Sequence, residues 1–205
     1  MRISDKILLN NLLSFCLLND YYMYSPSEDT YFMEDILTNY RGKSALEVGI
    51  GSGYLTRLLC TNFEFVVGTD IDINSILYAK NNNLTNFSNK LLVCSDLSLP
   101  LKCKFDLIIS NPPYLPTEFD NLGDATVYGG KKGIEFTIRL LRSIQRQLDE
   151  RGKIVIMRST LSDLKKMDAF IDKFFLINKI IAKKKFFFES LEILELSGIR
   201  NNPII

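Results

Sequence analysis

Short apolar segments alternate with helical patterns along most of this chain, and no other sequence feature constrains its fold as strongly. The apolar segments are Ser44–Val48, Phe65–Thr69, Leu91–Cys94, Phe105–Ser110 and Lys153–Met157. Nearly continuous apolar runs of this length are typical of strands that are covered on both faces. Strands that alternate with helices predict an α/β fold with a parallel sheet and right-handed crossovers.

Two of the intervening segments carry strong helix signals. In the first, Ser25 suits the N-cap, Pro26 the first helical position and Glu28 a capping box, and Gly42 is expected to end the helix. Its predicted buried face consists of Phe32, Ile36, Leu37 and Tyr40. The second helix is expected to end at Gly152. Its apolar residues at helical spacing are Phe136, Leu140, Leu141, Ile144 and Leu148.

The C-terminal part departs from this alternation. Phe175–Ala182 and Phe186–Leu196 are two apolar, β-rich runs on either side of Lys183-Lys184-Lys185. This order predicts a closing hairpin that adds an antiparallel strand to the sheet. Because sheet edges often carry lysine, we interpret the triplet as a solvated edge or turn and not as an anion-binding patch.

The N-terminal segment Ile7–Leu18 is apolar but interrupted by polar residues, and it is shorter than the roughly 20 apolar residues that span a bilayer. We interpret it as an amphipathic helix capped by Ser4 or Asp5. No small-residue cleavage site is present, so the sequence predicts a soluble, cytoplasmic protein without membrane association. The 205 residues suit a single domain, 1–205, with 1–23 as an N-terminal helical extension.

The composition excludes several kinds of chemistry. The chain has no histidine, which rules out a histidine general base, a Ser-His or Cys-His nucleophile and histidine-ligated zinc. The cysteines Cys16, Cys60, Cys94 and Cys103 form no CxxC pair, so we expect buried free thiols and no metal site. A net charge of +1 does not favour a nucleic-acid partner.

A glycine-rich turn, Glu47-Val48-Gly49-Ile50-Gly51-Ser52-Gly53, follows the first predicted strand. Glycines permit a sharp turn and let a ligand approach the backbone at the start of the next helix. Dinucleotide-binding enzymes have a related turn, but here the spacing is G-x-G-x-G and Glu47 directly precedes it. A carboxylate there would repel a pyrophosphate and attract an ammonium, which favours S-adenosylmethionine as the cofactor.

Acidic residues follow the next two predicted strands. Asp70 ends the second strand, where a carboxylate is placed to accept both hydroxyls of a ribose. Asp72 competes for that role, although it also suits the N-cap of the following helix. Asp96, after the third strand, is a candidate acceptor for the amino group of adenine or a cap of its own loop. Ligands of open α/β sheets bind at the carboxyl ends of the strands, which favours one shared site.

The fourth predicted strand ends in Asn111-Pro112-Pro113-Tyr114. Two successive prolines stiffen the turn and remove two backbone donors, so the Asn111 side chain and the Pro112 carbonyl become fixed acceptors. Tyr114 adds a flat aromatic face. A planar NH2 group fits these three features, which favours methyl transfer to an amide or exocyclic amine nitrogen. Such a reaction needs positioning and electrostatic stabilisation but no imidazole.

Together these motifs resemble the class I S-adenosylmethionine-dependent methyltransferases, and more narrowly the HemK-type glutamine-N5 methyltransferases that modify the Gly-Gly-Gln loop of peptide-chain release factors. The resemblance extends from Tyr24 to about Leu196. It also includes the segments Tyr24–Thr30 and Gly129-Gly130-Lys131-Lys132-Gly133. It implies a Rossmann-like class I methyltransferase fold, with a mostly parallel seven-stranded sheet, helices on both faces and a C-terminal antiparallel hairpin.

The resemblance also implies residue roles and a partner. The implied cofactor-binding residues are Thr30, Glu47, Gly49, Gly51 and Gly53 at the methionine end, Asp70 at the ribose, Asp96 and Leu97 at the adenine, and Asn111. Asn111, Pro112 and Tyr114 would hold the glutamine amide as the catalytic residues. Bacterial members have a helical N-terminal domain, whereas some 23 residues precede Tyr24 here. The shorter archaeal and eukaryotic members pair with a small zinc-ribbon activator protein that covers an apolar surface, so a heterodimer is implied.

Other functions fit parts of this pattern. Adenine-N6 DNA or RNA methyltransferases share the Asn-Pro-Pro-Tyr element, protein lysine methyltransferases occur among similar short enzymes, and a cofactor-binding scaffold without activity is the non-enzymatic alternative. The basic residues that would favour a nucleic-acid substrate are interpreted as a solvated helix face; they are Lys131, Lys132, Arg139, Arg142, Arg146 and Arg151.

Overall fold

The computed structural model describes residues 24–117 and 126–200, so the helix predicted over Ile7–Leu18 lies outside the described residues. The strands are β1 (Gly42–Val48), β2 (Phe63–Asp70), β3 (Lys90–Cys94), β4 (Phe105–Ser110), β5 (Leu148–Ser159), β6 (Phe175–Lys185) and β7 (Ser190–Ile199). The helices are α1 (Glu28–Leu37), α2 (Tyr54–Asn62), α3 (Ile73–Asn81), α4 (Glu135–Ile144) and α5 (Leu164–Phe174), with a 3-10 turn, Gln145–Gln147, after α4. None of these described helices is long and apolar enough to cross a membrane.

The strands form one seven-stranded sheet in the order β3-β2-β1-β4-β5-β7-β6. Strands β1 to β5 pair in parallel, and β7 lies antiparallel between β5 and β6. The predicted mostly parallel sheet with a C-terminal antiparallel hairpin is therefore confirmed. The strand order reverses between β1 and β4, which is where open α/β sheets form a crevice for ligands at the carboxyl ends of their strands.

Each face of the sheet has its own hydrophobic core, because successive strand residues point to opposite faces. On one face, Ala45 of β1 and Leu107 of β4 pack with the apolar residues of α1, α2 and α3. On the other face, Leu46 and Ile108 pack with α4 and α5. Helices thus cover both faces, as predicted, and the central strands β1 and β4 are held rigidly between them.

Helix α1 begins later than the sequence predicts. Its N-cap is Ser27 and not Ser25, and the partner in the capping box is Thr30, whose hydroxyl accepts the Ser27 N–H at 3.4 Å. The reason is the carboxylate of Asp29, which accepts both the Ser27 hydroxyl and the Thr30 N–H and so defines the first turn. Glu28 is only the first helical residue.

Two predicted helix ends are also wrong. Helix α1 ends at Leu37, where a turn through Thr38 to Tyr40 leads out of the helix, and Gly42 is the first residue of β1. After α4 the backbone tightens into the 3-10 turn, so Leu148 already belongs to β5 and Gly152 lies within that strand. A buried leucine at helical spacing fits either element, and pairing with β4 decides in favour of the strand.

The lysine triplet lies at the end of β6 and not in the turn, which is formed by residues 186–189. Strand β6 is an edge strand, and the three lysine side chains are exposed, so the solvated edge is confirmed. Pairing with β7 extends the strand this far because Lys183 faces Glu192, with Nζ 2.9 Å from Oε1.

The opposite edge strand, β3, is covered less well than predicted. Leu91 is 48% exposed, and no residue of β3 is fully buried. The expected burial of the cysteines is also only partly correct: Cys60 is buried on the inner face of α2, whereas Cys94 and Cys103 are exposed. Among the described residues β3 has a neighbouring strand on one side only, which fits the exposure of Leu91 and Cys94, whereas Cys103 lies in the segment between β3 and β4. Cys16 lies outside the described residues.

Candidate active site

A cavity of about 660 Å³ opens at the carboxyl ends of β1, β2 and β4. Volumes of this order suit a cofactor together with part of a substrate. The predicted site residues that line it are Thr30, Glu47, Gly49, Gly51, Asp70, Asp96, Leu97, Asn111, Pro112 and Tyr114. Residues from distant parts of the chain therefore meet here because parallel strands end at the same edge of the sheet.

The glycine-rich turn forms the floor of this cavity. Gly49 and Gly51 have φ angles of +79° and +49°, a region that favours glycine. The N–H of Gly49 donates to the Thr69 carbonyl at 2.8 Å, which ties the turn to β2. A Cβ on Gly49 would meet no other described atom within 4 Å. The space above this backbone is thus available to a ligand.

Gly53, which the resemblance implies as a cofactor-binding residue, is the N-cap of α2, with φ of +77°. It is not among the lining residues of the cavity. A Cβ at this position would lie 2.7 Å from the Cβ of Ala79 on α3. Gly53 therefore allows close packing of α2 against α3, and its role in cofactor binding stays a prediction.

Glu47 is a buried acid at the end of β1, with 2% of its surface exposed. Its carboxylate accepts a hydrogen bond from the Thr56 hydroxyl. Burial, aided by the nearby charge of Asp70 and opposed by the Thr56 hydroxyl, raises the pKa of Glu47 to about 8. A cation in the cavity would favour the ionised form, so this acid suits an ammonium group.

Asp70 and Asp72 have distinct places at the end of β2. Asp70 accepts the N–H of Gly51 on one carboxylate oxygen and the N–H of Asp72 on the other, each at 2.9 Å. Each oxygen keeps a second lone pair for a further donor. Asp72 accepts the Asn74 N–H at 2.9 Å and is the N-cap of α3, so its predicted capping role is confirmed.

Asp96 and Leu97 follow β3 at the far end of the cavity. Asp96 pairs with Arg139 of α4 at 2.9 Å, and both side chains are well exposed to solvent. Leu97 is buried and has φ of +54°, a conformation that is uncommon for a residue other than glycine. The six basic residues that were expected on one helix face are all exposed, but only Arg139 and Arg142 lie on α4. Of the six, Arg139 lines the cavity.

Within the described residues, the side-chain amide of Asn111 forms a hydrogen bond through its nitrogen but not through its oxygen. Its Nδ2 donates to Oδ2 of Asp29 at 3.0 Å. Its Oδ1 is buried and has no hydrogen-bond partner among the described residues. Because buried polar atoms are nearly always paired in folded proteins, this oxygen is a candidate acceptor for a ligand N–H.

Asp29 is the residue of this site that the sequence analysis missed. It lines the cavity from α1, and its Oδ2 also accepts the Tyr114 hydroxyl at 3.2 Å. The sequence does contain a signal for Asp29. This residue precedes Met33 by four residues and Leu37 by eight, and this helical spacing predicts that the acid lies on the buried, apolar side of the helix.

Comparison with known proteins agrees with this geometry. The family model described as methyltransferase small domain matches residues 28–188. A putative protein N5-glutamine methyltransferase of Methanocaldococcus jannaschii is 33% identical over 146 residues, which are 68% of this chain and 74% of that protein. The eRF1 methyltransferase catalytic subunit of Schizosaccharomyces pombe is 26% identical, with 87% of this chain and 90% of that protein covered.

A solved structure shows the same fold. It is the Mtq2-Trm112 complex of E. cuniculi, whose matching chain superposes with a TM-score of 0.68 at 23% identity and covers 85% of this chain and 97% of its own. The likeness supports the overall fold. The chain thus belongs to the methyltransferase small domain family and is a class I S-adenosylmethionine-dependent methyltransferase of the HemK type.

Proposed function

We propose that this enzyme transfers a methyl group to the side-chain amide nitrogen (N5) of the glutamine in the Gly-Gly-Gln motif of a peptide-chain release factor. The observation that carries the proposal is the buried Oδ1 of Asn111, a hydrogen-bond acceptor without a partner among the described residues. It belongs to a residue that lines the cavity at the end of the central strand β4. A primary amide supplies the donor that this acceptor lacks.

The substrate amide would be held by acceptors on a rigid turn. One N–H would donate to Oδ1 of Asn111 and the other to the carbonyl of Pro112, while the ring of Tyr114 supports the amide plane. An amide nitrogen is a weak nucleophile because its lone pair is delocalised. Two fixed acceptors would orient it and stabilise the positive charge that grows on it. The leaving group would be a neutral thioether, and the methylated nitrogen would release its extra proton to water, so no histidine is required.

The remaining lining residues fit S-adenosylmethionine, which when bound supplies a methyl group on a positively charged sulfur. Glu47 would hold the ammonium of the methionine part, and the open backbone of Gly49 and Gly51 would lie beneath that part, with Thr30 nearby. Asp70 would accept the ribose hydroxyls on its remaining lone pairs. Asp96 and Leu97 would flank the adenine, with Arg139 keeping Asp96 in place.

Two relatives support a glutamine in a release factor as the substrate. The archaeal relative is named as an N5-glutamine methyltransferase, and the fission yeast relative as an eRF1 methyltransferase subunit. The net charge of +1 does not favour DNA or RNA. Because release factors act on ribosomes, we also propose a cytoplasmic location.

Methyl transfer to a recombinant release factor tests this proposal directly. We expect label from S-adenosylmethionine to appear on the factor, and to be absent from a variant whose motif glutamine is alanine. A DNA duplex and a lysine-rich peptide serve as the competing substrates in parallel reactions. Labelling of either of these, with the release factor left unlabelled, would contradict the proposal and favour an adenine or a lysine methyltransferase.

We further propose that a small zinc-ribbon partner protein binds at the β3 edge. The patch there, which we call the β3-edge patch, consists of Phe65, Ile71, Ile73, Leu77 and Leu91, whose exposed fractions range from 42% for Phe65 to 73% for Ile71. Among the strands of the described residues, β3 has a neighbour on one side only, which leaves its other edge for strand addition, and exposed apolar groups around an edge are typical of an interface. The E. cuniculi structure is of a complex, which supports a partner of this kind.

A single charge in the β3-edge patch is expected to disrupt this assembly. Leu91→Asp should weaken binding of a purified Trm112-related zinc-ribbon protein by about tenfold or more, since a buried charge would replace an apolar contact. Leu176→Asp is the matched control, because Leu176 is 59% exposed on β6 at the opposite edge of the sheet. Isothermal titration measures both affinities. If Leu91→Asp and Leu176→Asp bind the partner with equal affinity, the partner does not bind at the β3 edge.

A further inference from the structure

We propose that Asp29 is a positioning residue that fixes which way the Asn111 amide points, so that the site presents only an acceptor to its substrate. The inference rests on the proposed function, because it explains how the cavity selects an amide NH2. It concerns a residue outside the turn that carries Asn111, and it predicts a reversal of ligand preference and not merely a loss of activity.

Asp29 is the centre of a hydrogen-bond network at the start of α1. Its Oδ1 accepts the Ser27 hydroxyl at 2.6 Å, the Thr30 N–H at 2.7 Å and the Tyr24 hydroxyl. Its Oδ2 accepts Nδ2 of Asn111 at 3.0 Å and the hydroxyl of Tyr114 at 3.2 Å. With 6% of its surface exposed, the carboxylate is held in one orientation by these five hydrogen-bond donors.

The charge state of Asp29 agrees with this role. Burial by itself would raise the pKa of its carboxyl, but hydrogen bonds from Asn111, Ser27, Tyr24 and Thr30 outweigh burial and hold the pKa below its ordinary value. Asp29 is therefore ionised at neutral pH. Burial and the Asp29 charge raise the pKa of Tyr114, so its hydroxyl keeps the proton that it donates.

An ionised carboxylate can only accept hydrogen bonds, and this decides the direction of the Asn111 amide. The amide must offer Nδ2 to Asp29, since offering Oδ1 would place two acceptors against each other. Oδ1 is then left as the buried acceptor for a ligand. The same carboxylate oxygen accepts a hydrogen bond from the Tyr114 hydroxyl. Asp29 therefore orients both the Asn111 amide and the aromatic ring of Tyr114.

Replacing Asp29 by asparagine removes this constraint with little change in shape. The new side chain can donate as well as accept, so Asn111 is free to rotate its amide and present Nδ2 to the cavity. A donor there would oppose the NH2 group of glutamine and attract the carboxylate of glutamate. The variant should thus lose preference for glutamine and gain preference for glutamate.

The test compares Asp29→Asn with Asp35→Asn, a matched change at an exposed position of the same helix. Two peptides with the motifs Gly-Gly-Gln and Gly-Gly-Glu are the probes. For Asp29→Asn we expect kcat on the glutamine peptide to fall about tenfold or more, with the cofactor Kd within about twofold of wild type. Relative binding of the glutamate peptide over the glutamine peptide should rise about tenfold. Asp35→Asn should match wild type in each measurement.

A merely structural role for Asp29 would weaken both peptides equally, and that result would overturn the inference. Failure of the proposed function is a separate outcome, in which the wild-type enzyme does not methylate the glutamine peptide. NMR of the wild-type side-chain amides tests the positioning without any substrate or variant. The Asn111 NH2 protons should exchange slowly with water because Asp29 accepts one of them, whereas rapid exchange would refute the inference even if Asp29→Asn failed to fold.

Discussion

Asn111→Ala is expected to lower the rate of methyl transfer about 100- to 1,000-fold, which is the usual effect of removing one preorganised polar contact from a developing charge. The alanine variant lacks the buried Oδ1 that we propose as the acceptor for the substrate amide. Cofactor affinity should stay within about twofold of wild type, because cofactor binding would not use the Asn111 side chain and Glu47 and Asp70 remain in place. Single-turnover kinetics and equilibrium dialysis with labelled S-adenosylmethionine measure the two quantities separately.

Asn178→Ala is a suitable control for this experiment. Like Asn111, Asn178 directs its Nδ2 at an aspartate, here Oδ1 of Asp172 at 3.5 Å, but it lies on the edge strand β6. The control should keep full activity. If Asn111→Ala keeps full activity as well, the amide does not use Oδ1 of Asn111 and the proposed mechanism is wrong.

Glu47→Gln is expected to have opposite effects on stability and on cofactor binding. In the cofactor-free protein, burial raises the pKa of Glu47 from its ordinary value of 4.5 to about 8. The folded state therefore binds more protons than the unfolded state between these values, and stability declines as the pH rises from about 4.5 to 8. Glutamine does not titrate, so the variant should unfold at higher temperature than wild type at pH 8.5 but not at pH 4.5.

The raised pKa of Glu47 should change the free energy of unfolding by on the order of several kcal/mol across this pH range, because a shift of one pKa unit corresponds to about 1.4 kcal/mol. At the same time the variant should bind S-adenosylmethionine about tenfold or more weakly, since a neutral amide replaces the charge that faces the ammonium. Thermal unfolding across this pH range and dialysis at pH 7.5 measure the two effects. Glu64→Gln, at an exposed position of β2, is the control and should change neither. If the unfolding temperatures of wild type and Glu47→Gln depend on pH in the same way, Glu47 is not the group that lowers the stability as the pH rises.

The fold follows largely from patterns that are local in the sequence. Runs such as Phe105–Ser110 are nearly continuous in apolar residues, which is typical of strands buried on both faces, and the helices between them favour parallel pairing. Element ends were less predictable, because they depend on contacts with distant residues. Leu148 fits the helical spacing of α4, yet it pairs with Phe105 of β4.

The site was predictable to a similar extent. Most of its residues follow strand ends, and parallel strands bring their carboxyl ends to one edge, so the position of Glu47, Asp70 and Asn111 around a single cavity could be inferred before the structure was known. Gly53 shows the limit of such inference. A glycine in a motif can serve the ligand or the packing of a neighbouring helix, and only the contact with Ala79 reveals the packing role.

The sequence by itself therefore determined the class of fold, the edge of the sheet where the site lies and the type of chemistry that a chain without histidine can perform there. The tertiary structure alone decided the direction of the Asn111 amide. That direction depends on Asp29, which is 82 positions away in the chain and reaches Asn111 only because α1 packs beside the end of β4. The physical reason is that an amide is nearly symmetric in shape, so only a charged partner in contact with it selects which end faces the substrate.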